Sequence, residues 1–167
     1  MKVLVFSDTH DHVDRVEQMI TEVKDKVEAA IFCGDLCAPF TAAQLLQLDM
    51  PIYAVFGNVD LDQGYIIERS EGKIDWDALG HEYKELELDG RTIAFNHYPK
   101  LAELQAQMGE YDAVFHGHTH VVRNEKVSET LLLNPGAVCG IQNGKYGVSS
   151  YAIYDTKTNT AEIFELS

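Results

Sequence analysis

The chain has 167 residues, 46% of them hydrophobic, and a formal net charge of −14. The composition excludes a disordered segment, and the length predicts one folded domain that spans residues 1–167. The acidic charge argues against long nucleic acids and anionic membrane surfaces as partners, because both would be repelled.

Further features of the composition concern location and cross-linking. No apolar stretch approaches the roughly 20 residues that a bilayer-spanning helix needs, and the apolar opening at residues 1–6 is too short for a signal peptide. We therefore expect a cytoplasmic protein. The three cysteines, Cys33, Cys37 and Cys139, are odd in number and lack zinc-ribbon spacing, so no disulfide framework is expected.

The first third of the chain predicts a β-α-β-α-β unit, and therefore a parallel sheet with right-handed crossovers. Its strands are apolar runs, its first helix has apolar residues at three- and four-residue steps, and its second helix opens at Pro39. The strands are expected at residues 2–6, 29–33 and 52–56, and the helices at 13–27 and 40–48.

The rest of the chain predicts further strands, mostly antiparallel, and one further helix. Residues 83–88 and 92–95 form a hairpin around Asp89-Gly90. A helix is expected at 101–108, and strands at 113–115, 121–127, 130–133, 148–154 and 161–166. Residues 59–80 are ambiguous, although Trp76 and Leu79 suggest a short amphipathic turn. Two sheets packed face to face and flanked by helices give an α/β fold.

Three imidazoles stand within five residues at His116-Gly117-His118-Thr119-His120, directly after the apolar run at 113–115. Alternate side chains of an extended segment point the same way, so His118 and His120 can face one point. Imidazole is a common metal ligand at neutral pH. The cluster therefore indicates a metal site, and the alternative is an accidental run of surface histidines.

Four other predicted strands also end in polar residues that can bind metal. Sites in open α/β sheets gather beyond the carboxyl ends of strands, so these side chains should converge. Each motif alone is most simply a turn, but five coincident strand ends favour a shared site. The other four motifs are Ser7-Asp8-Thr9-His10, Gly34-Asp35, Gly57-Asn58 and Asn96-His97.

The ligand types restrict the metal and its use. Carboxylate, amide oxygen and imidazole without a thiolate suit Mn, Fe, Ni, Co or Zn in a catalytic site. Seven ligands are too many for one ion but suit two ions bridged by a carboxylate. Two ions ~3.5–4 Å apart can clamp an in-line phosphoryl displacement.

These motifs, in this order, resemble those of the calcineurin-like metallophosphoesterases, and most of all the small single-domain archaeal and bacterial phosphodiesterases. Asn134-Pro135-Gly136 is similar to the N-P-G-S element of that branch, with Ala137 in place of Ser. The resemblance implies a four-layer α/β sandwich with two central mixed β-sheets flanked by helices. The motifs that carry it are Asp8-x-His10, Gly34-Asp35, Gly57-Asn58-x-Asp60, His97 and Gly117-His118-Thr119-His120.

The resemblance also implies two divalent transition-metal ions and a metal-bound hydroxide that attacks the phosphorus of a small phosphodiester. Two divalent ions, two aspartates and one hydroxide leave a single positive charge, which a diester would neutralise. Asp35 would bridge the two ions and, with Asn58, belong to the catalytic residues. The remaining implied ligands are Asp8, His10 and His120 on one ion, and Asn58, His97 and His118 on the other.

The chain departs from the family pattern at Val59, where many members have a histidine that helps the leaving oxygen. General-acid help, typically worth ~10²–10⁴-fold in rate, must then come from elsewhere. His12 is the catalytic candidate, and its alternative role is an exposed histidine at a helix start. Tyr98 replaces a common glycine and would narrow the mouth of the site.

Other functions stay open at this point. The chain could be a phosphomonoesterase, a nucleotide pyrophosphohydrolase, or a non-catalytic scaffold of the same fold. Arg123 could touch substrate but is more simply an ordinary hairpin arginine. Exposed apolar surface expected around residues 131–147 could support a homodimer.

Overall fold

The computed structural model describes residues 1–77 and 82–167. The described residues form thirteen strands, four α-helices and a 3₁₀ turn at Leu46–Leu48. The helices are α1 Val13–Val23, α2 Pro39–Leu45, α3 Gln63–Arg69 and α4 Pro99–Met108. The strands are β1 Lys2–Phe6, β2 Ala29–Phe32, β3 Ile52–Ala54, β4 Ile74–Trp76, β5 Tyr83–Leu88, β6 Arg91–Asn96, β7 Ala113–Phe115, β8 Arg123–Val127, β9 Thr130–Asn134, β10 Ile141–Gln142, β11 Lys145–Tyr146, β12 Ser149–Asp155 and β13 Thr160–Leu166.

Two mixed sheets contain most of the strands. The first has the order β13-β12-β1-β2-β3-β4, in which β1 to β4 are parallel and β12 and β13 antiparallel. The second has the order β5-β6-β7-β9-β8, with β6, β7 and β9 parallel and an antiparallel strand at each edge. The predicted parallel sheet is confirmed. The second sheet is less antiparallel than expected, because β9 runs parallel to β7.

The side-chain alternation of β1 shows how the layers pack. Leu4 and Phe6 join a core beneath α1, α2 and α3, whereas Val3 and Val5 face the second sheet. The outer face of the second sheet packs against α4 in turn, through a separate apolar cluster. The order is helices, sheet, sheet, helix, which confirms the expected four-layer sandwich.

Residues 59–77 form more regular structure than the sequence indicated. The Asp62 carboxylate caps α3 by accepting a hydrogen bond from the Tyr65 N–H at 3.3 Å. The following strand, β4, then pairs in parallel with β3. The turn expected at Trp76 is wrong, because Trp76 lies in β4 and its ring stacks on Phe56 at 4.5 Å. Leu79 lies outside the described residues.

The apolar stretch proposed as a dimer surface is mostly interior. Residues 131–140 are buried, so the expectation of exposed apolar surface around 131–147 is wrong for that stretch. The exposed apolar side chains near it are Tyr146, Val148, Val121 and Val122. Among the described residues, no helix is long and apolar enough to cross a membrane.

Candidate metal centre

Five strands deliver the predicted ligands to one edge of the sandwich. The loop after β1 carries Asp8 and His10, and β2 and β3 lead to Asp35 and Asn58. His97 follows β6, and His118 and His120 follow β7 in the second sheet. The carboxyl ends of parallel strands share one edge of a sheet, and here the edges of both sheets meet. All seven predicted ligands come together.

Asp8, His10 and His120 form the first group, which we call the enclosed group. The His120 Nε2 atom lies 3.1 Å from Asp8 Oδ1 and 3.2 Å from His10 Nε2. The His10 Nε2 atom lies 3.8 Å from Asp8 Oδ1. Ligand atoms bonded at about 2.1 Å to one ion lie roughly 3.0–3.4 Å apart. The two distances from His120 fit one cation, and the 3.8 Å distance between His10 and Asp8 is slightly wider than that range.

Asn58, His97 and His118 form the second group, which we call the open group. The Asn58 Oδ1 atom lies 3.1 Å from His97 Nε2 and 2.9 Å from His118 Nδ1. The two imidazole nitrogens are 3.2 Å apart. The spacing again fits one cation, held by two nitrogens and an amide oxygen.

The Asp35 carboxylate lies between the two groups. Its Oδ2 atom is 3.6 Å from His10 Nε2 and 3.3 Å from His97 Nε2. Its Oδ1 atom accepts a hydrogen bond from the Val59 N–H at 3.1 Å, which fixes the orientation of the carboxylate. A bridging ligand requires this placement.

Hydrogen bonds behind two of the imidazoles orient them toward the cluster. The His97 Nδ1–H donates to the Cys33 carbonyl at 2.8 Å, and the His120 Nδ1–H donates to the Ile141 carbonyl. Each ring then presents its Nε2 lone pair to the cluster, as metal-bound histidines do. The buried Asp8 Oδ1 has no hydrogen-bond partner among the described residues, since its contact with His120 lacks hydrogen-bond geometry. A cation would satisfy that oxygen.

The pKa shifts of the cluster show that its carboxylates and imidazoles interact closely. Burial raises the pKa of Asp8, but the close His10 and His120 imidazoles outweigh it and hold the pKa well below the usual range. Burial and the contacts with His97 oppose each other in the same way at Asp35, whose pKa is also lowered. The adjacent Asp8 carboxylate raises the pKa of His120 to about 11. Metal cations would take the place of these protons.

The motif glycines are required by close approach of neighbouring atoms. A Cβ at Gly57 would lie 2.0 Å from Asp35 Oδ1, and one at Gly117 would lie 1.9 Å from Ser7 Oγ and 2.6 Å from Asp8 Oδ2. Ligand residues also adopt left-handed backbone conformations, which cost free energy outside glycine. These residues are Asp8 at φ 54°, His10 at 42°, Asp35 at 64°, His118 at 71° and His120 at 58°.

Asp60 supports the site, and no role was predicted for it. Its buried carboxylate accepts backbone N–H hydrogen bonds from Asp35 at 3.0 Å, Leu36 at 2.7 Å, Cys37 at 2.8 Å and Gly57 at 2.7 Å. These bonds tie the loops after β2 and β3 together. The available signal was its position in the Gly57-Asn58-x-Asp60 motif.

Two thiols also border the enclosed group. The Cys37 Sγ atom lies 3.5 Å from His10 Nδ1, and the Cys139 Sγ atom lies 3.9 Å from His120 Nδ1. Cys37 stood near a motif, but no pattern in the sequence pointed to Cys139.

The remaining predicted residues lie around the cluster. His12 is the N-cap of α1, and among the described residues its ring makes no hydrogen bond, ion pair or ring contact with the seven ligands. Arg123 forms ion pairs with Glu103 and Glu125, which matches an ordinary hairpin arginine. The Tyr98 ring packs 5.2 Å from the His97 ring and 5.4 Å from the His118 ring, and so borders the open group.

Comparisons with known proteins identify the family of the chain. The sequence model of the calcineurin-like phosphoesterase superfamily domain matches residues 1–159. The chain therefore belongs to the calcineurin-like phosphoesterase superfamily, as the motifs implied. Membership in that superfamily supports phosphoesterase activity.

Particular relatives refine the assignment. The chain is 32% identical over 162 residues to a phosphodiesterase of Methanocaldococcus jannaschii, with 94% of each protein covered. A solved structure of an archaeal phosphodiesterase superposes with a TM-score of 0.89 at 29% identity, covering 99% of this chain and 100% of that one. Vps29 of Chaetomium thermophilum gives a TM-score of 0.71 at 14% identity, covering 99% of this chain and 92% of that one, and this likeness shows the fold alone.

Proposed function

We propose that the chain is a phosphodiesterase that hydrolyses a small phosphodiester at a centre of two divalent transition-metal ions. The observation that carries the proposal is the position of Asp35, whose Oδ2 atom is within 3.6 Å of His10 Nε2 and 3.3 Å of His97 Nε2. Asp35 would bridge one ion held by the enclosed group and one held by the open group.

The chain's own residues would bind the two ions, orient them and leave access for the substrate. Ions bound at the two groups would act as Lewis acids toward the phosphoryl oxygens and toward a water molecule. Asp8, Asp35 and His97 are buried and fix the base of the centre. Asn58 and His118 are exposed, so the phosphoryl group would approach from the open group. Asn58 therefore combines metal binding with contact to substrate.

The charges of the site favour a diester over a monoester. Two carboxylates, Asp8 and Asp35, face the two divalent ions, and a singly charged diester suits the remaining charge better than a dianionic monoester. Arg123, the nearest arginine in the sequence to the histidine cluster, is already paired with Glu103 and Glu125. The name of the Methanocaldococcus jannaschii relative agrees with this preference.

The test of the bridging role is Asp35→Asn, with Asp62→Asn as the matched control. Asp62 is an exposed helix cap, and asparagine caps helices equally well. Since outer hydrogen-bond partners of metal ligands already contribute 10–100-fold, we expect Asp35→Asn to lower turnover of bis(4-nitrophenyl) phosphate by at least ~10²-fold. Elemental analysis should show loss of at least one of two bound Mn²⁺ ions. Retention of both ions and full turnover would contradict the proposal.

The competing functions give different results with the same protein. A phosphomonoesterase would prefer 4-nitrophenyl phosphate to its diester at equal metal loading, whereas we expect the reverse. A scaffold would bind metal and turn over neither ester.

A further inference from the structure

A cleft of about 320 Å³ opens beside the enclosed group. Its walls come from the segment after His120, from β10 and its flanks, and from the outer strands of the first sheet. Most of the lining is apolar, contributed by Val121, Val122, Ala137, Ile141, Val148 and Ile163. Of the seven candidate ligands, His120 alone is among the described lining residues of the cleft.

His120 belongs to both places. Its Nε2 atom faces Asp8 and His10, while its Nδ1–H donates to the carbonyl of Ile141, a residue that lines the cleft. The His120 imidazole therefore lies between the enclosed group and the cleft. The cleft borders the enclosed group through this one ring.

The charge of the cleft defines the class of group that fits. Among the described lining residues, the only carboxylate is Glu165, and no lysine or arginine is present. A second phosphate would find no cation there and would be repelled by Glu165. Apolar walls favour an uncharged aromatic or alkyl group.

The size of the cleft sets a limit on that group. A volume of about 320 Å³ is at the lower end of the range for small-molecule sites, roughly 300–1,000 Å³. It suits a single ring system or a short alkyl chain rather than a long lipid chain.

Two glycines near the cleft differ in the space around them. A Cβ at Gly136 would lie 2.0 Å from Ser150 Oγ and 3.1 Å from Val122 Cγ2, so this segment packs closely behind the wall. Gly147 is different, because a Cβ there would lie 3.7 Å from the Gly140 carbonyl oxygen and 3.8 Å from Gln142 Cβ, at ordinary contact distances. A side chain at Gly147 would be accommodated and would narrow the cleft.

From these observations, and resting on the proposed function, we infer that the cleft binds one ester group of the phosphodiester and selects for an uncharged aromatic or short alkyl substituent. The substrate class is then a diester with at least one such group. The open group and Tyr98 border the other side of the phosphoryl position.

The first test needs no metal and no turnover. Benzyl alcohol, titrated into the metal-free protein, should shift the amide signals of residues 121–122 and 141–148 in heteronuclear NMR spectra. Gly147→Val should abolish these shifts. Gly64→Val, the same change on exposed α3 where a Cβ meets nothing within 4 Å, should keep them. Absence of shifts in the unmodified protein would overturn the inference. This also holds if the shifts are absent because a second copy of the chain covers the cleft.

The second test uses inhibition of bis(4-nitrophenyl) phosphate turnover by two slowly hydrolysed diesters on the Mn²⁺-loaded enzyme. Diphenyl phosphate should bind at least ~10-fold more tightly than dimethyl phosphate, because it transfers a phenyl ring from water to apolar walls. Gly147→Val should reduce that ratio toward one by weakening diphenyl phosphate alone. Val148→Thr, which keeps the shape of the wall but adds a hydroxyl, should reduce the ratio by a smaller factor.

The two proposals fail in different ways. Turnover of bis(4-nitrophenyl) phosphate with the same inhibition ratio in all variants would overturn the cleft assignment and leave the phosphodiesterase proposal standing. Failure of the metal-loaded protein to hydrolyse any diester would overturn the proposed function, and the ester-group assignment with it.

Discussion

The enclosed group and the open group are built from similar parts but differ in charge and exposure. Each has a fully buried anchor, Asp8 in the enclosed group and His97 in the open group. The enclosed group contains a carboxylate of its own, and its His10 and His120 side chains are only 26% and 18% exposed. In the open group the ligands are neutral, and Asn58 and His118 are exposed.

This difference assigns separate roles to the two positions. A charged ligand and lower solvent exposure strengthen attraction to a cation. The enclosed group should therefore hold its ion more tightly. The open group, with neutral ligands facing solvent, should exchange its ion more readily and leave room for substrate.

The largest effect is expected from a substitution that removes a support shared by both groups. Asp60→Ala would leave four backbone N–H groups, those of Asp35, Leu36, Cys37 and Gly57, without their acceptor. Unsatisfied buried donors cost ~1–3 kcal/mol each, and water will reach some of them, so we expect a loss of about 3 kcal/mol or more. Urea unfolding measures it.

Asp60→Asn is the companion variant, because it keeps one acceptor oxygen and should lose less stability. Both variants should also weaken metal binding at both groups, since the Asp60 carboxylate holds the loop that carries Asp35, the proposed bridge. An unchanged free energy of unfolding in Asp60→Ala would contradict the supporting role.

The role of Asp60 could not be predicted from local sequence patterns. Strand periodicity predicted two sheets flanked by helices, and the motif at each strand end predicted that the seven candidate ligands converge. The four-layer arrangement followed from the resemblance to the family. The acceptor role of Asp60 depends on two loops meeting in space, which no local pattern encodes. The contact of Cys139 with His120 has the same origin, since the two residues meet only through the folding of the segment after β9.

Short elements were missed for a different reason. The helix α3 has seven residues and β4 has three, so neither carries enough periodicity to be recognised. The signals were present in part, since Asp62 caps α3 and Asn143-Gly144 makes the tight turn between β10 and β11 with φ of 51° and 72°. The local turn and cap residues therefore mark where these short elements begin or turn. They do not identify the strand with which each element pairs.

A second prediction concerns proton donation on the enclosed side. His12, two residues beyond His10, is the candidate that replaces the histidine missing at Val59. We expect His12→Ala to lower kcat by ~10²–10⁴-fold for a diester with a poor leaving group such as phenol. The loss should shrink for 4-nitrophenol, which leaves without a proton. Equal losses for both leaving groups, or none, would contradict a donor role for His12.

The affinity difference between the groups can be measured directly. Titration of the metal-free protein with Mn²⁺ should give two dissociation constants that differ by about tenfold or more, because only one group has its own carboxylate. His10→Ala should remove the tighter site, and Asn58→Ala the weaker one. The reverse assignment, or two equal constants, would show that exposure and charge do not rank the groups.

The smallest expected effect tests the open group alone. The Tyr98 ring packs edge-on against His97 at 5.2 Å and near His118 at 5.4 Å, and aromatic contacts of this kind contribute about 0.5–1.5 kcal/mol. Tyr98→Ala should therefore weaken the lower-affinity Mn²⁺ site by roughly two- to tenfold. Tyr98→Phe keeps the ring and should have no effect on that site. A shift in the tighter constant would mean that the two groups respond together, because within residues 1–77 and 82–167 the Tyr98 ring packs against imidazoles of the open group and against none of the enclosed group.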